Sequence, residues 1–367
     1  MSTPVETHTA DTAAKEMIKE VELQLHPEWD TILMVSDEKV RKKLYVSSHF
    51  LRVTSPYFKL LLTSSFREGT QVQNGERPII PLEDDCPEAM EIILSLLHYR
   101  VHSSPVHLTP EKLAKVAMCC DKYGCVGPLQ AWIGQWLNEQ PNCKKATPIE
   151  AGYLLVSLRM FGHESEFQRM LKKTIMTLPL DFDFDEWTEN SVISQLDERI
   201  IEHISEHIAE ASKSVRGVIE RTIVSLADQA RVSLMHRGRC LHCLKATNSR
   251  VRNKCSEPEC AGCNDVLIPM FCSPEQRTTE FIMMLMKNSL WPPSKIPVTW
   301  SLKTLESHLQ KLQEMNVHGC NQEQNCPLRQ NLDGLHAATT AIFQQAQVDF
   351  QPRVETAVAV KPEPEES

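Results

Sequence analysis

The chain has 367 residues, of which 41% are hydrophobic and 24% charged, and its formal net charge is -9. This composition is ordinary for a globular protein, and the length predicts two or three domains. The negative net charge argues against a general nucleic-acid binder, although a chain with this net charge can still carry local basic patches.

No targeting or membrane segment is evident. The polar N-terminus lacks the apolar core of a signal peptide, and the most apolar stretch, residues 281–286, is too short to span a bilayer. We therefore expect an intracellular protein, in the cytoplasm, the nucleus or both, with no membrane partner. The thirteen cysteines are then expected to be reduced, so clustered cysteines indicate metal ligands or small buried side chains.

Periodicity and composition divide the chain into zones. Both ends are expected to be disordered, because they cannot bury enough apolar surface to fold. The zones are a disordered arm at 1–25, an α+β domain at 26–140, a helical region at 141–235, a cysteine-rich insert at 236–272, a second helical region at 273–348 and a disordered tail at 349–367.

The α+β zone starts with extended segments. The β-prone runs 31–35 and 44–46 flank a turn-like Asp37-Glu38-Lys39 and predict a hairpin. Residues 48–62 have helical spacing, and the proline-flanked run 78–82 predicts an edge strand.

Three helix starts follow from capping patterns. Asp85 is expected to be the N-cap of the next helix, with Glu88 three residues on. Thr109-Pro110 opens another helix, and Thr147 with Glu150 forms a capping box. Further along, a long amphipathic helical segment is predicted over 192–234.

Six segments in order carry a family resemblance: WDTILMV at 29–35, the helix entry at 46–58 with its Ser-Pro-x-Phe, FREG at 66–69, and residues 80–85, 97–100 and 113–123. Together they resemble the BTB/POZ domain, and most of all the filamentous-fungal BTB family. The resemblance covers about a third of the chain. It implies a small mixed sheet flanked by helices, followed by a mainly α-helical C-terminal region.

The resemblance also implies a binding role, since BTB domains have no catalytic centre and pair with themselves or with other proteins. We expect a protein-interaction adaptor and not an enzyme, with a homodimer as one candidate assembly. In adaptor members a hydrophobic-x-Glu triplet contacts a cullin scaffold of a ubiquitin ligase. Phe66 and Glu68 stand at the matching place and are candidate partner-binding residues. The alternative is that Phe66 packs internally and Glu68 is merely solvated.

The cysteine-rich insert contains the pattern of a zinc site. Cys240 and Cys243 are followed, after sixteen residues, by Cys260 and Cys263. Two thiolates separated by two residues can share one tetrahedral ion, so these four cysteines predict a structural zinc. Other ligand sets and buried unliganded thiols remain open. The spare candidates are His236, His242, Cys255, Cys272, His318, Cys320 and Cys326.

The same zone is basic. Residues 231–254 contain Lys and Arg but no Asp or Glu, which favours as an alternative function a chromatin or nucleic-acid-associated regulator. No aromatic residue is interleaved for base stacking, so nucleic acid is a less favoured partner than another protein.

One catalytic pattern is present. His203 and His207 lie one helical turn apart and could bind zinc, with Glu206 as general base. Their surroundings argue against this, because Glu206 belongs to a polar stripe and the histidines flank an apolar one. A zinc metalloprotease is therefore only a remote alternative. The polar stripe is Glu198, Glu202, Glu206 and Glu210, and the apolar stripe is Ile193, Leu196, Ile200, Ile204 and Ile208.

Overall fold

The computed structural model describes the side chains of residues 19–100, 107–140, 146–229, 273–315 and 326–351, and the backbone of 232–240 and 267–272. The chain divides into two units. The first comprises residues up to 170 together with 186–196, and the second comprises 171–185 and the chain from 197 onward. Within the described ranges, no helix is long and apolar enough to cross a membrane.

A mixed four-stranded sheet lies in the first unit, in the order β1-β3-β2-β4. The predicted hairpin is confirmed, since β2 and β3 pair antiparallel. The predicted edge strand is confirmed too, because β4 pairs only with β2 and lies parallel to it. The strands are β1 (Lys19–Gln24), β2 (Thr31–Ser36), β3 (Val40–Val46) and β4 (Ile79–Leu82).

Strand β1 corrects the expectation of a disordered arm over residues 1–25. Residues 19–24 form the second edge of the sheet, parallel to β3. Glu22 accepts hydrogen bonds from Lys43 Nζ at 3.0 Å and from Tyr45 Oη at 2.9 Å, and Glu20 pairs with Arg41 at 3.1 Å. The polar residues that suggested disorder therefore belong to an edge strand, and its glutamates pair with basic side chains of β3.

Helices complete the first unit. The caps expected at Thr109 and Thr147 are confirmed: each side chain accepts a backbone N–H of its first turn, and Glu150 closes the capping box. Helix α4 is buried on almost every face and packs on β3 and α5. The helices are α1 (Ser48–Thr54), α2 (Pro56–Leu61), α3 (Arg67–Gln73), α4 (Pro87–Leu97), α5 (Pro110–Tyr123), α6 (Gln130–Glu139) and α7 (Pro148–Met160).

The first unit extends beyond the expected domain limit at residue 140. Helix α7 packs along α5, and the 3-10 turn Ile193–Gln195 packs against α7. A Cβ added to Gly152 would lie 2.7 Å from Ile193 Cδ1, so the Ile193 side chain packs directly against the backbone of α7 at this glycine. Residues 148–160 and 186–196 therefore share the core of the first unit. The division between the units falls within α8 (Glu164–Thr177), and α9 (Asp185–Thr188) follows.

The second unit is built around one long helix, α10 (Glu198–Asp228), which packs against α11 and α13. Ile200, Ile204 and Ile208 are buried, as the apolar stripe predicted. The remaining elements are β5 (Val232–Cys240), β6 (Leu267–Cys272), α11 (Pro274–Lys287), α12 (Leu302–Glu314) and α13 (Pro327–Ala346).

Two boundaries of the second unit differ from expectation. The helix predicted over 192–234 begins at Glu198 and ends at Asp228, and β5 follows because its β-prone residues pair antiparallel with β6. The disordered tail was expected to start at residue 349, but its first two residues make ordered contacts. Asp349 pairs with Lys172 at 2.8 Å, and Phe350 is buried.

His98 joins the end of α4 to the start of α1. Its Nε2 accepts the backbone N–H of Ser47 at 3.1 Å, so Nδ1 carries the proton and donates to the carbonyl oxygen of Leu94 at 2.8 Å. Burial lowers the pKa of His98. A second ring proton would also face the Ser47 N–H, so this position holds the neutral imidazole.

We expect the stability that His98 contributes to depend on pH. Its pKa is lower in the folded chain than the unfolded value of about 6.5, so the contribution is intact above that pH. It declines as the pH falls toward the folded pKa, because the unfolded chain then binds the proton more readily. The difference in free energy of unfolding between wild type and His98→Gln should shrink between about pH 7.5 and about pH 5. Urea denaturation at both pH values measures it, and a constant difference would contradict the assignment.

Candidate protein-binding surface

Helices α1 to α3 expose large apolar side chains. Val53 is 72% exposed, Leu60 62%, Tyr57 43% and Phe66 41%. Exposed apolar side chains gathered in a short segment are typical of a surface that another protein covers. These four residues together with Glu68 are called the α1–α3 surface below.

Tyr123 anchors this surface from beneath. Its ring stacks on Phe58 of α2, with centroids 5.0 Å apart and planes within 6°. Its carbonyl oxygen accepts the Ser55 hydroxyl at 2.6 Å, and Ser55 Oγ in turn accepts the Phe58 N–H at 3.1 Å. Ser55 therefore caps α2 and ties it to the C-terminal end of α5 at the same time.

The hydroxyl of Tyr123 donates to the buried carboxylate of Asp85. Lys122 Nζ also donates to Asp85, at 2.9 and 3.0 Å. Burial, followed by the hydrogen bond to Asp85, raises the pKa of Tyr123, so the hydroxyl keeps its proton. These contacts overturn the expectation that Asp85 is the N-cap of α4. Cys86 occupies that position, because the Asp85 side chain binds α5 instead.

A tight turn sets the position of Phe66 and Glu68. The Phe66 N–H donates to Thr63 O at 3.1 Å, and Phe66 O accepts the N–H of Thr70 at 3.0 Å. The Thr70 hydroxyl reaches Ser64 O at 3.2 Å. Phe66 is the N-cap residue of α3, and Glu68 lies in its first turn, where the helix dipole favours a negative charge.

Gly69 permits this turn. A Cβ built on it would lie 1.8 Å from Thr63 O, far inside contact distance. The backbone of the turn therefore rests directly on α3, and any side chain at residue 69 would move Phe66 and Glu68 away from this arrangement.

The structure describes the candidate partner-binding residues but few of the metal candidates. Phe66 is exposed and Glu68 is half-buried, both at the start of α3. Cys243, Cys260 and Cys263 lie outside the described residues. Only the backbone of Cys240 is described, at the end of β5 opposite Leu267. Of the basic stretch 231–254, the structure describes only the backbone of residues 232–240, which form β5.

The residues of the protease pattern are described. The rings of His203 and His207 lie 4.0 Å apart, and His207 Nδ1 lies 2.7 Å from the carbonyl oxygen of His203. Burial lowers the pKa of His203, and Glu206 is exposed. Among the residues with described side chains, no three His, Cys, Asp or Glu converge as metal ligands.

Sequence reasoning missed most of the α1–α3 surface. The helical spacing over 48–62 does not distinguish the exposed Tyr57, Val53 and Leu60 from the buried residues of the same segment. One signal was available: Val53 and Leu60 are out of phase with Leu51 and Phe58, which are buried.

We predict that Gly69→Ala destabilises the chain by about 1–3 kcal/mol, because the methyl group must displace the Thr63 carbonyl. Gly134→Ala is the matched control. It lies inside α6 with no atom within 4 Å of the added methyl, and it should be neutral or stabilise by up to about 1 kcal/mol. Urea denaturation of both variants tests this, and equal stabilities would show that the turn can relax freely.

Residues 22–132 match the family model described as BTB/POZ domain. No curated protein matches the chain. The matched segment contains all the strands of the mixed sheet except the start of β1, and the whole α1–α3 surface. The first unit is therefore built around a BTB/POZ domain, a kind of domain that generally mediates protein–protein interactions.

Proposed function

We propose that this chain is an adaptor that binds a cullin scaffold of a ubiquitin ligase through its BTB/POZ domain. The observation that carries the proposal is the exposure of Phe66 at the start of α3, with Glu68 in the same turn. This is the hydrophobic-x-Glu arrangement by which adaptor members of the family are expected to contact cullins.

The physical properties of the turn suit a binding contact. Full burial of a phenylalanine side chain contributes roughly 1.5–3 kcal/mol, so an exposed Phe66 is an effective anchor for a groove on a partner. The hydrogen bonds of Phe66 and the close packing at Gly69 hold the turn in one conformation. A surface fixed before binding loses less conformational entropy when the partner arrives.

A homodimer is the second part of the proposal. Val53 and Leu60 are more exposed than Phe66, and a second copy of this chain would remove them from water. The second unit would then present another protein to the scaffold, as an adaptor requires.

The test is titration of the full chain against the N-terminal region of a cullin scaffold. We expect Phe66→Ala to weaken binding at least tenfold, which corresponds to about 1.4 kcal/mol, and Glu68→Lys to weaken it further. Ile79→Ala is the matched control, because Ile79 is 57% exposed on β4, outside the α1–α3 surface. Undiminished binding by Phe66→Ala would contradict the cullin proposal, as would an equal loss with Ile79→Ala.

We also propose a structural zinc held by Cys240, Cys243, Cys260 and Cys263. The support is indirect: β5 and β6 pair Cys240 with Leu267, so the ladder brings together the two ends of the segment that contains the cysteine pairs. Metal analysis of the purified chain and of a Cys260→Ser variant tests this part. No contact of the described residues favours nucleic-acid binding or proteolysis over the adaptor function.

A further inference from the structure

A short segment that follows α13 covers a pair of histidines on α10, within the second unit. Helix α13 ends at Ala346, and residues 348–350 are called the strap below. The Phe350 ring of the strap makes a T-shaped contact with the His203 ring, with centroids 5.5 Å apart and planes at 78°. Phe350 is only 9% exposed, so docking of the strap keeps a large apolar side chain out of water.

Two further contacts hold the strap in place. The backbone of Val348 forms a hydrogen bond with the His203 ring. Asp349 pairs with Lys172 of α8 at 2.8 Å. The strap therefore meets α10 at one ring, that of His203, which contacts both the Phe350 side chain and the Val348 backbone.

The histidine pair is poorly arranged for a positive charge. The rings of His203 and His207 lie one helical turn apart, with centroids separated by 4.0 Å. Nδ1 of His207 donates to the carbonyl oxygen of His203 at 2.7 Å, and Nε2 of His203 is buried with no hydrogen-bond partner. A charged imidazole carries a proton on both nitrogens. A charged His203 would therefore hold a buried N–H without an acceptor, beside a second imidazole.

Neighbouring charges do little to offset this penalty. On α10, His207 opposes the charged form of His203 and Glu206 favours it. Glu206 is exposed, so water and salt screen its charge. The strap brings the carboxylate of Asp349, with which Lys172 of α8 already pairs. Burial, followed by the charge of His207, lowers the pKa of His203.

We propose that the strap is a pH-dependent switch, which stays on α10 while His203 is neutral and is released when the ring takes up a proton. Docking and protonation oppose each other, so each weakens the other by the same factor. The strap is then fully docked above the pKa of a free histidine, about 6.5, and is released as the pH falls through the lower pKa of the docked ring. Release presents the apolar ring of Phe350 to other molecules. The switch requires neither a cullin nor a metal, so it is independent of the proposed function.

Hydrogen exchange of the full chain tests the switch. Protection of the amides of residues 348–351 is compared at about pH 7.5 and about pH 5.5, after correction for the intrinsic rate at each pH. We expect protection to fall several-fold at the lower pH, with a ceiling of about tenfold set by one pH unit below the pKa of a free histidine. His203→Gln cannot take up a proton and should be equally protected at both pH values. His49→Gln is the control, because it changes an exposed histidine of α1 in the first unit and should keep the wild-type response.

Two more variants decide the case if His203→Gln itself loosens the strap. In Phe350→Ala the pKa of His203, followed by NMR of 13C-labelled histidine, should rise toward that of a free histidine. Asp349→Asn removes the ion pair with Lys172 but not the titrating ring, so it should reduce protection by the same factor at both pH values. Wild-type protection that is equal at both pH values, or a pH response that persists in His203→Gln, would overturn the proposal. So would a His203 pKa that is unchanged in Phe350→Ala.

Discussion

The buried hydroxyl of Tyr123, donating to Asp85, is the contact on which the position of α2 and of the α1–α3 surface depends. Through its carbonyl Tyr123 receives the Ser55 hydroxyl that caps α2, and through its ring it supports Phe58. One residue at the end of α5 therefore fixes α2 and the chain just before α4. Removal of the donor would leave a buried carboxylate short of a hydrogen bond, at a cost of about 1–3 kcal/mol.

The binding surface is a consequence of this anchor. Helix α2 cannot shift without loss of the contacts of Phe58 and Ser55, and the turn that follows it rests on α3 at Gly69. Phe66 and Glu68 are therefore displayed by backbone that is fixed from both sides. Exposed apolar residues on a rigid support are suited to recognition, since the support keeps them from collapsing onto their own core.

Local patterns were sufficient to predict the hairpin, the edge strand and the caps at Thr109 and Thr147, because neighbouring residues determine each of them. The role of Asp85 was not predictable in this way, since its partner Tyr123 lies 38 residues away. Strand β1 was missed because an exposed edge strand has the polarity of a disordered arm. Phe66 was identified only through the family resemblance, and its exposure depends on a turn that the sequence does not specify alone.

Amide hydrogen exchange of Tyr123→Phe tests most directly whether this anchor holds the binding surface. The variant keeps the ring that stacks on Phe58 and removes only the donor to Asp85. Amides of α2 and α3 should exchange faster than in the wild type, whereas Tyr57→Phe, which removes the hydroxyl of a residue that is 43% exposed, should leave them unaltered. If the amides of α2 and α3 exchange in Tyr123→Phe at the same rate as in the wild type, the surface does not depend on the Tyr123–Asp85 contact.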